Sequence, residues 1–449
     1  MSDKLFGTDG VRGIANTELT PLLAYSLGVS AAKVLGRSHA PRFVVGRDTR
    51  ISGTLLEAAL SAGISAMGGE IVSADVVPTP AVASITREEG FDAGIVISAS
   101  HNPFRDNGIK FFGPDGYKLA DALEAEIEAG VKGALTAVGP SGEGVGRISR
   151  DPALAAHYAE HLEESMQGVS LSGVKIVLDA AHGANYELGP RVMRDLGADV
   201  TCFGCEPNGI NINAGVGSLY PQNVQEHTVS EGAAIGMAFD GDADRVILVD
   251  EKGRLVDGDR VMLIVGKHLA AQGLLARNTV VGTIMSNMGL EVALKQHGLN
   301  LVRTGVGDRY VCEEMRREGY TIGGEKSGHI IFGHLTTTGD GLLTALQVLK
   351  VMIETGKPLS ELADGMTEYP QLLLGVRVTD RNSWKTITEI QDAILKAETC
   401  LAGRGRINVR ASGTEKLVRV MVEGPEKSEI DRIAHEVAGL IEAKVGATA

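Results

Sequence analysis

The sequence predicts an α/β protein. Three repeated α/β domains with mixed, largely parallel sheets, plus a smaller α+β C-terminal domain, are expected around one central cleft. Two observations carry this expectation. A single plan occurs three times: an apolar strand, a short loop, a helix, a second strand, a second helix, and a third strand running into a polar loop. Past about Gly365 the plan gives way to short alternating strands and two helices. Strands alternating with helices build parallel sheets, which offer ligands the carboxyl ends of their strands.

The first copy opens with RFVVG (Arg42 to Gly46), continues with EIVSADVV (Glu70 to Val77) and reaches GIVIS (Gly94 to Ser98) just before Ser100. Glycines from Gly139 to Gly146 then mark a boundary. KIVLD (Lys175 to Asp179), ADVTCF (Ala198 to Phe203) and GMAF (Gly236 to Phe239) form the second copy, and a second boundary falls around Asp250 to Asp259. The third runs through TVVGTI (Thr279 to Ile284), NLVRTG (Asn300 to Gly305) and YTIGG (Tyr320 to Gly324). GVRVTD and INVRASGTEKLVRVMVEG supply the last strands. The expected domains are therefore 1–150, 151–255, 256–365 and 366–449.

Composition excludes several functions. The 449 residues carry a net charge of −14, which opposes any general attraction to nucleic acid or anionic membranes. An anionic substrate must be held by local basic groups. No run approaches the roughly 18 apolar residues of a membrane span, and MSDKLFGTDGVRG lacks the pattern of a signal peptide, so a cytoplasmic protein is expected. Four scattered cysteines make no disulfide framework, and Cys202 and Cys205 read as reduced small hydrophobes at a strand end.

Each copy ends at a different chemical loop. In ISASHNP (Ile97 to Pro103), Ser100 follows a buried-type strand, and Asn102-Pro103 forces a turn expected to project the hydroxyl into solvent. The residues alone leave a nucleophile and a capped turn as equal readings. FDGDADR (Phe239 to Arg245) sets Asp240, Asp242 and Asp244 on alternate positions. Three like charges so close repel unless a cation neutralises them, and Mg²⁺ suits a site with few protein carboxylates. An EF-hand is excluded because Arg245 stands where its glycine is required.

GEKSGH (Gly324 to His329) fails the Walker pattern because Glu325 precedes Lys326. Glu325 and Ser327 suit the hydroxyls of a sugar, and His329 suits proton transfer or simple packing. Arg410, Ser412, Gly413, Thr414 and Arg419, in RASGTEKLVR, make a phosphate-binding set or a charged surface hairpin.

Taken together these loops resemble those of the α-D-phosphohexomutases, most closely the bacterial branch that acts on glucosamine phosphates. The likeness runs from FGTDGVRG (Phe6 to Gly13) through ISASHNP, DNGIKFF (Asp106 to Phe112), AHGANY, FDGDADR and GEKSGH to RASGTE. Lys326 stands where that branch usually has glutamine, and Lys416 where proline is common. The resemblance implies interconversion of glucosamine 6-phosphate and glucosamine 1-phosphate, on the route to UDP-N-acetylglucosamine and peptidoglycan. It implies a phosphoserine at Ser100, one Mg²⁺ held by Asp240, Asp242, Asp244 and a phosphate oxygen on Ser100, and a glucosamine 1,6-bisphosphate intermediate. Glucosamine or glucose 1,6-bisphosphate, or a kinase, would first charge the serine. Arg12, His101, Lys110 and Arg245 match active-site positions of the family, with Lys110 and His329 as candidates for moving the hydroxyl proton. A homodimer through the first domain is implied as well. The rival readings are a sibling mutase acting on glucose or mannose phosphates, a metal-dependent phosphatase with Asp240 as nucleophile, and a non-catalytic sugar-phosphate sensor.

Overall fold

A computed structural model describes residues 5–447 except 8 and 413–415. Its first unit comprises β1 (Val11–Ile14), α1 (Pro21–Leu35), β2 (Arg42–Arg47), α2 (Gly53–Ala66), β3 (Glu70–Val76), α3 (Thr79–Glu88), β4 (Ala93–Ile97), β5 (Asp106–Phe112), α4 (Asp121–Val131) and β6 (Ile148–Arg150). The sheet order is β1-β5-β4-β2-β3-β6. β2, β3, β4 and β6 run parallel, whereas β5 is antiparallel to both β4 and β1.

The second unit repeats the arrangement with α5 (Leu154–Ser165), β7 (Lys175–Asp179), α6 (Leu188–Asp195), β8 (Asp199–Phe203), α7 (Gln222–Ser230), β9 (Ile235–Phe239), β10 (Val246–Asp250) and β11 (Leu255–Val256). In its sheet, β11-β10-β9-β7-β8, the antiparallel partner of the third strand is β10. The third unit holds α8 (Gly258–Ala271), β12 (Thr279–Thr283), α9 (Met288–Gln296), β13 (Asn300–Thr304), α10 (Asp308–Glu318), β14 (Ile322–Gly324), β15 (Ile330–Phe332), α11 (Gly341–Thr355) and α12 (Leu359–Ala363). Its sheet runs β13-β12-β14-β15, and β15 again returns antiparallel. A fourth unit packs α13 (Thr388–Leu401) and α14 (Lys427–Val445) on the antiparallel sheet of β16 (Gln371–Arg377), β18 (Leu417–Glu423) and β17 (Arg406–Ala411).

The strands read as continuous apolar runs because both sheet faces are covered. On β2, Phe43 and Val45 enter one core while Val44 enters the other; on β4, Ile95 and Ile97 oppose Val96 in the same way. The core containing Val44 and Val96 extends to Ile176 and Met237 and then to Val280 and Leu346, so apolar packing joins the first three units. In each of the first three units the segment after the third parallel strand is a short connection to an antiparallel neighbour. Those connections span 98–105, 240–245 and 325–329, the loops singled out by sequence.

Cys202 and Cys205 are free thiols packed beside that shared core, and burial pushes Cys205 up to about 12. Among the described residues no helix is long and apolar enough to cross a membrane.

Candidate active site

Ser100 sits in the turn after β4 with a left-handed φ of 50°, a conformation that L residues adopt only where their surroundings over-determine it. Its N–H donates to Ser98 Oγ at 3.0 Å, and its hydroxyl donates to Asp240 Oδ2 at 2.7 Å. His101 Nδ1 lies 3.2 Å from the same hydroxyl. The residue is 2% exposed, so the turn does not project its hydroxyl into solvent as expected. The acidic loop of the second unit covers it, a tertiary contact across 140 residues that no local turn signal reports.

Asp240, Asp242 and Asp244 are buried, with one ligand oxygen from each within 4.8 Å of the others. Thr79 Oγ1 and Lys110 Nζ reach Asp242 Oδ2 at 2.7 and 3.2 Å. Oδ1 of Asp242 and Oδ1 of Asp244 are buried without a hydrogen-bond partner. Burial, together with the Asp244 and Asp242 charges, drives Asp240 well above the ordinary carboxylate range. Asp244 is lowered despite burial, because His329, Lys110 and Arg245 favour its charged form. Orphaned, mutually repelling oxygens converging from alternate residues fit a hard divalent cation.

A cationic wall surrounds this cluster. Lys110 is buried; burial alone lowers its basicity, but Asp242 and Asp9 outweigh that and raise it. Asp9 accepts from Lys118 at 2.9 Å and forms ion pairs with Lys110, at 3.2 Å, and with Arg12. Lys118 also binds Asp308 at 2.6 Å. Arg245 places Nη1 3.3 Å from His101 Nδ1, and burial plus the Arg245 and Arg12 charges lower the basicity of that imidazole. His329, buried against its own solvation, is raised by Asp244 at 3.5 Å and by Asp308.

The structure therefore gathers Ser100, His101, Lys110, Arg12, Arg245, His329 and the three aspartates through direct contacts or one intervening side chain. Asp9, Thr79, Lys118 and Asp308 join them although no motif reading had singled them out. The one available signal was that Asp9 lies inside FGTDGVRG.

Glu325 and Ser327 lie on the turn between β14 and β15. Glu325 Oε1 accepts from Gly307 N at 3.1 Å, and exposed Ser327 donates to Glu325 Oε2 at 3.4 Å. Lys326 turns to Glu368 at 2.6 Å, tying this turn to the segment that leads into the fourth unit. Arg410 and Arg419 are paired positions on β17 and β18, and burial together with the Arg419 charge lowers Arg410. Two guanidinium groups that repel each other suit an anion. Ser412 is buried beside them, its carbonyl accepting from Arg381 at 3.1 Å. Gly413 and Thr414 lie outside the described residues.

Comparison with known proteins matches these four units in order. Residues 3–137, 156–253 and 257–369 match the phosphoglucomutase/phosphomannomutase alpha/beta/alpha domains I, II and III, and residues 373–440 match that family's C-terminal domain. A phosphoglucosamine mutase from Heliobacterium modesticaldum is 51% identical over 97% of this chain and 98% of its own. One from Clostridium novyi is 50% identical over 99% of this chain and 100% of its own. Among solved structures, a phosphoglucomutase/phosphomannomutase family protein from Burkholderia thailandensis shares the fold at a TM-score of 0.82 and 23% identity, over 99% of this chain and 98% of its own. Aspergillus fumigatus N-acetylphosphoglucosamine mutase does so at 0.71 and 19%, over 98% of this chain and 96% of its own. Matches over all four units and half-identical relatives along nearly the whole length place this chain in the phosphoglucomutase/phosphomannomutase family, among its phosphoglucosamine mutases.

Proposed function

We propose that the protein interconverts glucosamine 6-phosphate and glucosamine 1-phosphate, with Ser100 as the phosphoryl carrier, on the route to UDP-N-acetylglucosamine and peptidoglycan. The observation that carries this reading is the 2.7 Å hydrogen bond from Ser100 Oγ to Asp240 inside a buried three-carboxylate cluster. A hydroxyl nucleophile at the edge of a divalent-cation site is the arrangement phosphoryl transfer requires. Half-identical phosphoglucosamine mutases support the choice of sugar.

In the forward direction the phosphoryl group leaves Ser100 Oγ for O1 of glucosamine 6-phosphate. The Oγ–P bond breaks, the O1–P bond forms, and the O1 proton ends on Oγ. The 1,6-bisphosphate then turns over. Its O6–P bond breaks as Oγ–P forms again, the seryl proton passes to O6, and glucosamine 1-phosphate departs. Glucosamine or glucose 1,6-bisphosphate, or a kinase, supplies the first phosphoryl group.

Mg²⁺, held by Asp240, Asp242, Asp244 and a phosphate oxygen on Ser100, would neutralise charge on the transferring group. Arg12, His101 and Arg245 hold the phosphoryl oxygens, and Lys110 and His329 move the hydroxyl proton. Glu325 and Ser327 orient the sugar. Arg410, Ser412, Gly413, Thr414 and Arg419 grip the phosphate that is not being transferred. We take 1–150, 151–255, 256–365 and 366–449 as the working domains; the first boundary follows the end of β6 at Arg150, while β11 carries the second sheet one residue past the second boundary, to Val256. A cytoplasmic homodimer completes the reading.

Against the phosphatase alternative, Ser100 places a hydroxyl nucleophile 2.7 Å from Asp240, so the carboxylate need not itself attack. The decisive experiment measures exchange among hexose phosphates together with intact mass. Ser100→Ala should lose both turnover on glucosamine 6-phosphate and the covalent phosphate, and Asp242→Asn should need roughly tenfold more Mg²⁺. Normal turnover by Ser100→Ala, or better turnover of glucose or mannose 6-phosphate by the parent enzyme, would sink the respective part of the reading.

A further inference from the structure

The turn that carries Ser100 is gripped from beneath by two side chains, one from each of the first two units. Arg50 is 1% exposed, and its Nη2 donates to the carbonyls of Ser100 at 3.0 Å and Asn102 at 2.8 Å, while Nη1 donates to that of Pro103. Its Nε bonds Asp48 Oδ2 at 2.8 Å, which also accepts from Ser98 Oγ at 2.6 Å. Asn213 approaches from the second unit, 113 residues away, and its Nδ2 donates to the carbonyls of Ser100 at 2.9 Å and Asn102 at 3.2 Å. The Asn213 backbone is left-handed, with φ 58°, and its N–H donates to Ala181 at 2.9 Å.

The acidic loop closes on the same junction. A Cβ on Gly241 would come within 2.6 Å of the Ser100 carbonyl oxygen and 2.8 Å of Asn213 Nδ2, so Asp240 and Asp242 flank a glycine that lets their loop press against the grip. With its carbonyls held on one side, the Ser100 turn keeps its left-handed backbone and its hydroxyl stays directed at Asp240.

We infer that Asn213 and Arg50 form a clamp across the first two units that sets Ser100 against the acidic loop, making both positioning residues for phosphoryl transfer. This rests on Ser100 being the phosphoryl carrier. Neither residue is assigned to the substrate, so the clamp governs transfer rather than sugar binding. A misplacement of about 1 Å at a reacting atom costs on the order of 100-fold in rate.

Asn213→Gly is the informative variant, because glycine adopts φ 58° freely and the change removes the amide that donates to both carbonyls. The clamp predicts a melting temperature within about 3 °C of the parent, a KM for glucosamine 6-phosphate within about twofold, and a kcat at least about tenfold lower. Phosphoserine formation at Ser100 from glucose 1,6-bisphosphate, followed by intact mass, should slow in parallel. Asn213→Asp keeps the shape but turns an acceptor toward two carbonyls, so its kcat should fall below that of Asn213→Gly. Arg50→Lys, which keeps the charge beside Asp48 but not the fork, tests the other jaw with the same kcat and KM readouts. A parental kcat in Asn213→Gly at unchanged melting temperature overturns the clamp, provided Ser100→Ala is inactive. Turnover by Ser100→Ala instead overturns the role of Ser100 itself.

Discussion

Asp340 shows how a buried carboxylate is held where no catalysis is assigned to it. It caps α11 by accepting from Leu343 N at 2.9 Å, and it accepts from the hydroxyl of buried Tyr158 at 2.9 Å. Burial pushes its pKa up to about 6, above the roughly 3.9 of an unfolded chain. The folded protein therefore binds the extra proton, and the stability from this group is full below pH 4 and lost as pH rises to about 6. Asn at this position accepts from Leu343 and donates to Tyr158 at every pH. Relative to Asp340→Asn, the parent should lose roughly 3 kcal/mol between pH 4 and 6 in chemical denaturation, and a constant difference would count against the assignment. The active-site aspartates differ because three of them converge, with one oxygen each of Asp242 and Asp244 left without a donor, and their spacing was legible as D-x-D-x-D. Arg50 and Asn213 were not legible. Their partners are backbone carbonyls 50 or more residues away, and a carbonyl leaves no mark on sequence.

Helices α1 and α2 cross closely through glycine. A Cβ on Gly63 would stand 2.2 Å from the Tyr25 carbonyl oxygen, and one on Gly28 would stand 2.3 Å from that of Leu60. Gly439, in α14, has open space around it. Helix propensity favours Ala over Gly by about 1 kcal/mol at an open site, whereas overpacking costs about 1 to 3 kcal/mol. Gly439→Ala should thus raise the melting temperature and Gly63→Ala should lower it; a rise in both would mean that α1 and α2 pack less closely than described. The three strands of each repeated copy were read from their apolar runs to within about two residues. The antiparallel strands β5 and β15 that follow them were not read as strands, because their place is set by pairing with a neighbour across a loop and not by a pattern of their own.

The fourth unit joins the third through a small set of polar contacts. Asn287 exchanges two hydrogen bonds with the backbone of Tyr369, both at 2.9 Å. Glu423, fully buried, accepts from Met288 N at 2.8 Å and Arg406 Nε at 2.7 Å, while Arg406 also donates to the carbonyls of Ile284 and Ser286. Arg406→Ala leaves Glu423 and two carbonyls short of donors, a loss of about 2 to 4 kcal/mol confined to this seam. Hydrogen exchange should speed up around residues 284–289 and 367–371 while the first two units stay as protected as in the parent. Unchanged exchange at the seam would show that the fourth unit is held by other means. The basic cluster of Arg410 and Arg419 sits beyond this seam on β17 and β18, so the seam governs where the proposed phosphate grip stands.

Period and local chemistry were enough to specify the three-fold strand plan, the smaller last unit, the loops that end each third strand and the acidic triad. Those features depend on neighbours along the chain, through alternation, turn residues and like-charge spacing. Only the packed molecule decided that Ser100 is buried against Asp240, that Asp9 and Asp308 bracket Lys118, and that an arginine and an asparagine from different units hold one turn. Burial and charge pairing over a hundred residues or more are set by how the shared apolar core draws the sheets together, and that outcome is written in no single segment.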